Sequence, residues 1–325
     1  MRDAGLILVG VVLLSARTAG DGCGERLPAN AAVGQAAQGP GAGANVESTA
    51  TLRTLRILPW VEVNYPKYDE VAIDGLTLWR GVASAAIVST SPGRADLYPR
   101  LRERVPGLRV IPGLKTMALL PRFDSVEGWG RVSAEVAAFC KAAEESVVLL
   151  ENEVAMKAYV DGTEVLDADK LRAGLSLLPQ GLRYLWYPSV FGTPAQQERN
   201  AVVCEIVQAV FKENVRFLDQ RYQGREAVRA PSRMAADRRL KGIATQATLP
   251  MVYFYGPAHP RVWWRDEELG DALGHIQQGW GEGADVVIYP GVKRWKEASA
   301  VLTERLRRLG IEPATPERPD RRSVP

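Results

Sequence analysis

Cysteine and histidine are scarce in this chain of 325 residues, which holds three cysteines and two histidines. Cysteines at positions 23, 140 and 204 do not make a disulfide framework. Cys140 and Cys204 fall within amphipathic helical patterns and are expected to be buried thiols. Neither His259 nor His275 has a partner at metal-ligand spacing, so no metal site is expected.

Several other chemical signatures are also missing. The 41 Lys and Arg residues nearly balance the 38 Asp and Glu residues, and a net charge of +3 gives no indication of a nucleic-acid partner. No Gly-rich phosphate loop follows the first predicted strand, which leaves a nucleotide-binding sheet unsupported. A Gly-x-Ser-x-Gly elbow is lacking, and no cysteine stands at a strand end to act as a nucleophile. No cofactor is therefore expected.

The N-terminus carries the features of an export signal. Met1 and Arg2 precede an apolar run over residues 5–16, which is too short to span a bilayer comfortably, and small residues follow at 18–20. This order predicts a secretory signal peptide over residues 1–20, and hence a secreted or cell-envelope protein with no other membrane contact. An uncleaved membrane anchor is the alternative. Cys23 raises the possibility of a lipid anchor, but the residues before it lack the usual apolar and small pattern.

Two stretches lack any hydrophobic period. Residues 21–52 are rich in Ala and Gly and predict a flexible linker, and residues 313–325 predict a disordered tail. Residues 53–312 between them form the predicted folded domain.

Within that domain, eight short apolar segments rich in β-branched or aromatic residues predict strands. They span residues 56–64, 84–90, 108–115, 146–153, 182–190, 215–222, 249–256 and 284–291. Amphipathic helical patterns cover residues 133–145, 167–178, 197–213, 266–283 and 296–310. Asp167 or Asp169 is expected to cap one helix, and Gly310 to end the last. This alternation predicts a single (β/α)8 TIM barrel, with a doubly wound sheet as the alternative.

Functional residues of such a barrel collect at the C-terminal ends of its strands. The predicted ends are acidic and aromatic, and the third also carries Lys115. Aromatic rings stack on sugars and carboxylates catalyse glycosidic cleavage, so this composition suits a carbohydrate substrate. The expected substrate-binding residues are Glu62, Asn64, Trp186, Tyr187, Tyr253, Tyr255, Tyr289 and Trp295.

Two glutamates at the end of the fourth strand, in the stretch "LLENE", are the strongest catalytic candidates. Because strand side chains alternate, Glu151 and Glu153 point the same way. Two neighbouring carboxylates cannot both ionise cheaply, so one pKa is expected to rise. A carboxylic acid that stays protonated near neutral pH is what a glycosidase needs to protonate its leaving group.

The layout of residues 146–291 resembles the hyaluronidase-type glycosidases and, more distantly, the chitinase-like family 18 barrels. The resemblance lies in "LLENE", "PQGLRYLWYPSV", "FLDQRY" and the order of the last two strands with the helix between them. It implies that Glu153 is the acid, that Glu151 (in the place of an Asp) orients the reaction, and that Tyr222 contacts substrate. It also implies substrate-assisted cleavage, in which the sugar's 2-acetamido carbonyl attacks the anomeric carbon.

Three alternatives stay open. Asp219 serves either as a second orienting carboxylate or, with Glu153, as half of a conventional catalytic pair. The second alternative is a non-catalytic barrel that binds a glycan or another envelope component. Unrelated barrel chemistry is the third alternative.

Overall fold

The computed structural model describes residues 54–188, 193–220, 243–253, 266–290 and 295–312. Eight parallel strands close into a barrel in sequence order, with the first paired to the eighth. The strands are β1 Arg56–Glu62, β2 Ala85–Thr90, β3 Arg109–Lys115, β4 Val147–Glu151, β5 Arg183–Tyr187, β6 Val215–Gln220, β7 Thr248–Tyr253 and β8 Asp285–Tyr289. The prediction of a (β/α)8 barrel is confirmed.

Within the described residues, helices follow every strand except β6, as expected for crossovers between parallel strands. The described helices are α1 Asp69–Trp79, α2 Leu97–Arg104, α3 Val126–Ala143, α4 Lys157–Val160, α5 Ala168–Leu175, α6 Pro194–Phe211, α7 Asp266–Trp280 and α8 Trp295–Arg308. Short 3-10 turns lie at Pro66–Tyr68, Lys212–Asn214 and Thr245–Ala247. The sequence analysis did not predict α1 and α2, which follow the first two strands.

Local side chains fix where several helices begin and end. Asp167 accepts a hydrogen bond from the backbone N–H of Lys170 and caps α5, which confirms one of the two predicted capping residues. Thr193 and Gln196 form a reciprocal capping box at the start of α6. Gly310 has a φ of 77° just beyond α8, a conformation that glycine adopts without strain.

Alternating strand side chains divide the core into two layers. Side chains such as Leu58, Leu149 and Leu185 fill the barrel interior. Their sequence neighbours, among them Val148 and Trp186, pack outward against the helices. This alternation decides which residues at a strand end can reach the barrel mouth.

Several predicted boundaries change. The first strand ends at Glu62, the fourth at Glu151, the fifth at Tyr187 and the eighth at Tyr289, so these four predicted strands were too long. The predicted signal peptide (1–20), linker (21–52) and tail (313–325) lie outside the described residues. Among the helices that are described, none is both long and apolar enough to cross a membrane.

Candidate active site

A buried ionic cluster occupies the mouth of the barrel. Lys115, at the end of β3, contacts Glu62 Oε2 at 2.5 Å and Glu151 Oε1 at 3.2 Å through its Nζ atom. The side chains of Lys115, Glu62 and Glu151 are 24%, 16% and 13% exposed. Although burial opposes the charge on Lys115, the two carboxylates raise its pKa, so the lysine stays a cation. Lys115 is therefore a bridge between two acids and a poor candidate for a neutral amine nucleophile.

Three aromatic rings form the floor beneath this cluster. The Trp60 ring meets Tyr187 edge-on at 4.9 Å between centroids and Tyr289 at 5.1 Å. Trp60 also donates a hydrogen bond to Ser89 Oγ at 2.6 Å, which fixes its orientation. All three aromatic residues are at least 94% buried. The rings thus pack on one another, and they present no open face for a sugar.

The hydroxyl groups of the two tyrosines in this floor form hydrogen bonds with acids of the mouth. Tyr289 donates a hydrogen bond to Glu62 Oε1 at 2.9 Å. Tyr187 forms a side-chain hydrogen bond with Glu153. Tyr187 and Tyr289 were predicted to bind substrate, but their rings are packed and their hydroxyls position carboxylates.

Glu151 is the most strongly perturbed acid of the cluster. Burial, followed by repulsion from Glu62, raises its pKa from 4.5 to about 8 against the opposing effect of Lys115. Its Oε2 atom is buried and has no hydrogen-bond partner among the described residues. A neutral carboxyl fits this environment better than an unsatisfied carboxylate, so Glu151 retains its proton near neutral pH.

The raised pKa of Glu151 makes the protein less stable as pH rises. The folded state keeps a proton that the unfolded state loses, so stability falls between pH 4.5 and about 8. Glu151→Gln mimics the protonated acid, so we expect it to equal the wild type near pH 5. At pH 8.5 the Glu151→Gln variant should be more stable than the wild type by about 2–3 kcal/mol. This difference is smaller than the full pKa shift would give, because water reaches part of the Glu151 side chain.

Urea unfolding of both proteins from pH 5 to 8.5 measures this difference. Glu127→Gln is a matched control because Glu127 is exposed on α3, and it should keep the wild-type dependence on pH. A wild-type stability that does not fall across this range would contradict the buried, protonated state of Glu151.

Glu153 reaches the same mouth from a turn that follows β4. The turn is anchored by Asn152, which is fully buried and accepts a hydrogen bond from Thr116 Oγ1 at 2.8 Å. The Asn152 side chain also donates to the Leu150 carbonyl at 3.1 Å. Burial raises the pKa of Glu153, while its hydrogen bond with Tyr187 opposes the rise. Both glutamates therefore lie in the mouth with raised pKa values.

Three residues predicted at the mouth lie elsewhere. Trp186 is fully buried and stacks on Trp129 beneath α3, because it alternates with the inward-facing Tyr187. Trp295 stacks on Trp79 between α1 and α8. Asp219 is 3% exposed and shares its direction with the outward-packed Phe217. These side chains were predicted to contact substrate or assist catalysis at the mouth, but Trp186 and Trp295 pack against helices and the direction of Asp219 along β6 is outward.

The other predicted residues are placed only in part. Asn64 follows β1, and its Oδ1 atom is buried without a hydrogen-bond partner among the described residues. Tyr253 ends β7. Tyr222 and Tyr255 lie outside the described residues.

Two members of the site escaped the sequence analysis. Lys115 was noted at a strand end but given no role, and Trp60 was not singled out within the first predicted strand. The signal for Lys115 lay in the strand order, because β3 pairs with β4 and sets Lys115 opposite Glu151. In the part of the chain that is described, no group of His, Cys, Asp and Glu could hold a metal ion. Cys140 and Cys204 are buried free thiols, as predicted.

Comparisons with known proteins find matches among solved structures but none in sequence. No protein-family model matches the chain, and no curated protein matches it in sequence. A GH18 chitinase from Pseudoalteromonas aurantia is similar in structure, with 10% identity, a TM-score of 0.49, and 77% of this chain and 100% of that one covered. An endo-beta-N-acetylglucosaminidase from Cordyceps militaris has 10% identity and a TM-score of 0.43, covering 82% and 97%.

Barrels of other chemistry match equally well. A putative deoxyribose-phosphate aldolase from Toxoplasma gondii ME49 has 13% identity and a TM-score of 0.48, covering 82% of this chain and 97% of that one. These matches therefore indicate no particular reaction. It is the closed ring of eight parallel strands that makes the chain a (β/α)8 barrel.

Proposed function

We propose that this barrel is a glycoside hydrolase that cleaves a glycan containing N-acetylhexosamine. The observation that carries the proposal is the pair Glu151 and Glu153, two acids with raised pKa values in one barrel mouth. A carboxylic acid that remains protonated near neutral pH can donate its proton to a glycosidic oxygen.

Glu153 is the better proton donor of the two. Glu151 Oε1 is held by Lys115, and its Oε2 atom is buried. Glu153 makes no ion pair within the described residues, and Tyr187 orients its carboxyl group. We assign Glu153 as the acid, whose pKa is raised by burial and by the nearby Glu62 carboxylate. Glu151 is assigned as its orienting partner, and Lys115 with Glu62 as the support that positions Glu151.

The rest of the reaction follows a substrate-assisted course. Glu153 protonates the leaving oxygen as the bond from that oxygen to the anomeric carbon breaks, and the acetamido carbonyl oxygen bonds to the anomeric carbon. Water then attacks that carbon, Glu153 takes a proton from the water, and the acetamido group is released. The β7 segment Thr248–Tyr253 contains no carboxylate that would act as an enzyme nucleophile instead. The configuration at the anomeric carbon is retained.

The test is sugar release from oligosaccharides that differ at one position. Chito- and cello-oligosaccharides share the β-1,4 linkage, but only the chito-oligosaccharides carry the 2-acetamido group. Hyaluronan is tested as a polymer in which N-acetylhexosamine alternates with another sugar. We expect reducing ends to appear from N-acetylated substrates and not from cello-oligosaccharides. Equal cleavage of both would refute the substrate-assisted course, and no cleavage of any glycan would refute the hydrolase.

A non-catalytic glycan-binding barrel is the second candidate. It is favoured by the internal pairing of Lys115 with two acids, because these carboxyl groups are then engaged within the protein. Under this alternative the same oligosaccharides bind without turnover. Either function suits a protein exported by residues 1–20, which we include in the proposal as a secreted or envelope location.

A further inference from the structure

A second cavity lies at the opposite end of the barrel from the ionic cluster. It has a volume of about 320 Å³ and is bounded by the N-terminal ends of the strands. Four of the strands that line it carry an inward-facing arginine at their first or second residue: Arg56, Arg109, Arg183 and Arg216. Ala85, Val147 and Leu249 face inward on three other strands, and their shorter side chains leave the space open.

Three of these arginines have carboxylate partners. Arg56 and Arg216 both contact Asp285, at 2.8 Å and 2.9 Å. Arg109 forms a two-point pair with Glu145, and its Nη2 atom donates at 2.7 Å. These pairs fix three guanidinium groups around the cavity with two carboxylates, because Asp285 is shared.

Arg183 is different. Its side chain is exposed at the start of β5. Within the described residues its guanidinium group has no hydrogen-bond or ion-pair partner, and the only other lining carboxylate among them, Glu213, forms no ion pair with it. The Nε atom of Arg216 is also buried without a hydrogen-bond partner there. Four guanidinium groups are thus accompanied by three carboxylates, Asp285, Glu145 and Glu213, so the cavity keeps a net positive charge and an unused donor, which together favour a negatively charged ligand.

Beyond the arginines the cavity becomes apolar. Leu58, Ile111 and Leu185 lie two residues further along their strands, which is roughly 6.6 Å deeper. A free inorganic anion would leave this aliphatic surface uncovered, whereas a carboxylate with a short hydrocarbon chain covers it. The volume is at the lower end of the range for small-molecule sites.

We propose that this cavity binds a small organic anion, a carboxylate with a short apolar chain. Its carboxylate would pair with Arg183, and its chain would lie against the aliphatic side chains deeper in the barrel. The site is independent of the glycosidase assignment, because no residue of the ionic cluster lines it.

Calorimetric titration of the full chain with hexanoate tests the proposal. Inorganic phosphate, which lacks the apolar chain, and hexanol, which lacks the charge, are titrated for comparison. We expect saturable binding of one hexanoate and no comparable binding of phosphate or hexanol. Arg183→Gln should weaken hexanoate binding roughly tenfold or more, since a hydrogen bond to a charged group is lost. Ala85→Leu should also weaken it, because the larger side chain fills the cavity.

Matched controls separate this site from general charge and from catalysis. Arg80→Gln removes the same charge from an exposed turn, and Glu153→Gln alters the other end of the barrel, so both should bind hexanoate like the wild type. Thermal unfolding verifies that each variant is folded. Phosphate that binds as tightly as hexanoate, unchanged affinity in Arg183→Gln, or no hexanoate binding at millimolar concentration would overturn the proposal.

Discussion

Replacing Glu153 with glutamine is expected to lower the turnover of an N-acetylated oligosaccharide by roughly 10²–10⁴-fold, the usual contribution of a general acid. Glutamine keeps the shape of the side chain and can still meet the Tyr187 hydroxyl, but it cannot give a proton to the leaving oxygen. The loss should therefore appear in kcat with little change in KM.

The leaving group provides a sharper test of the role of Glu153. In an aryl glycoside whose leaving group is an acidic phenol, the phenolate departs without being protonated. Glu153→Gln should therefore lose much less activity on this substrate than on the oligosaccharide. Exposed Glu205 on α6 provides the matched control, and Glu205→Gln should be as active as the wild type. An equal loss on both substrates would point to a structural role for Glu153, and undiminished turnover would remove it from the mechanism.

The barrel itself was predictable because its signal is local. Each strand is a short apolar segment, and a closed parallel barrel buries both faces of every strand, so eight such segments stand out from the helices between them. Strand ends were less predictable. Apolar residues continue past Glu62 and Tyr187, at Val63 and Pro188, and the sequence pattern alone does not mark where each strand ends.

Side-chain directions at the strand ends can be predicted from the sequence only by following strand alternation. It gave Glu151 the correct direction, and Glu153 reaches the mouth although it lies in a turn rather than on the strand. The same rule forbids Trp186 and Tyr187 from facing the same way, and predicting both at the mouth ignored it. Trp186 accordingly packs on Trp129, and Tyr187 alone faces inward.

Lys115 escaped prediction for a different reason. Its role depends on the stagger between β3 and β4, which sets Lys115 beside Glu151, and on the closure of the barrel, which lets its side chain reach Glu62. Neither relation can be read from a single strand. In the folded barrel Lys115 is the cation that contacts both Glu62 and Glu151.

Removing that cation is expected to have the largest effect on stability. Lys115→Met leaves Glu62 and Glu151 facing each other in a mostly buried mouth, and loss of one partner from a buried ionic group costs about 3–5 kcal/mol. The deficit should be greatest near pH 8 and shrink toward pH 5, where protonation removes the repulsion between the carboxyl groups. Urea unfolding at both pH values measures it.

Rescue then identifies the cause. If repulsion between the two acids produces the loss, adding Glu62→Gln to Lys115→Met should recover at least half of it, although the double variant has one more substitution. Lys115→Arg keeps the positive charge and should lose less than Lys115→Met. Lys296→Met, which breaks an exposed pair with Asp74, should leave the unfolding midpoint nearly unchanged. A Lys115→Met deficit that is the same at pH 5 and pH 8, and that Glu62→Gln does not reduce, would mean that Lys115 acts by packing its hydrocarbon stem and not by its charge.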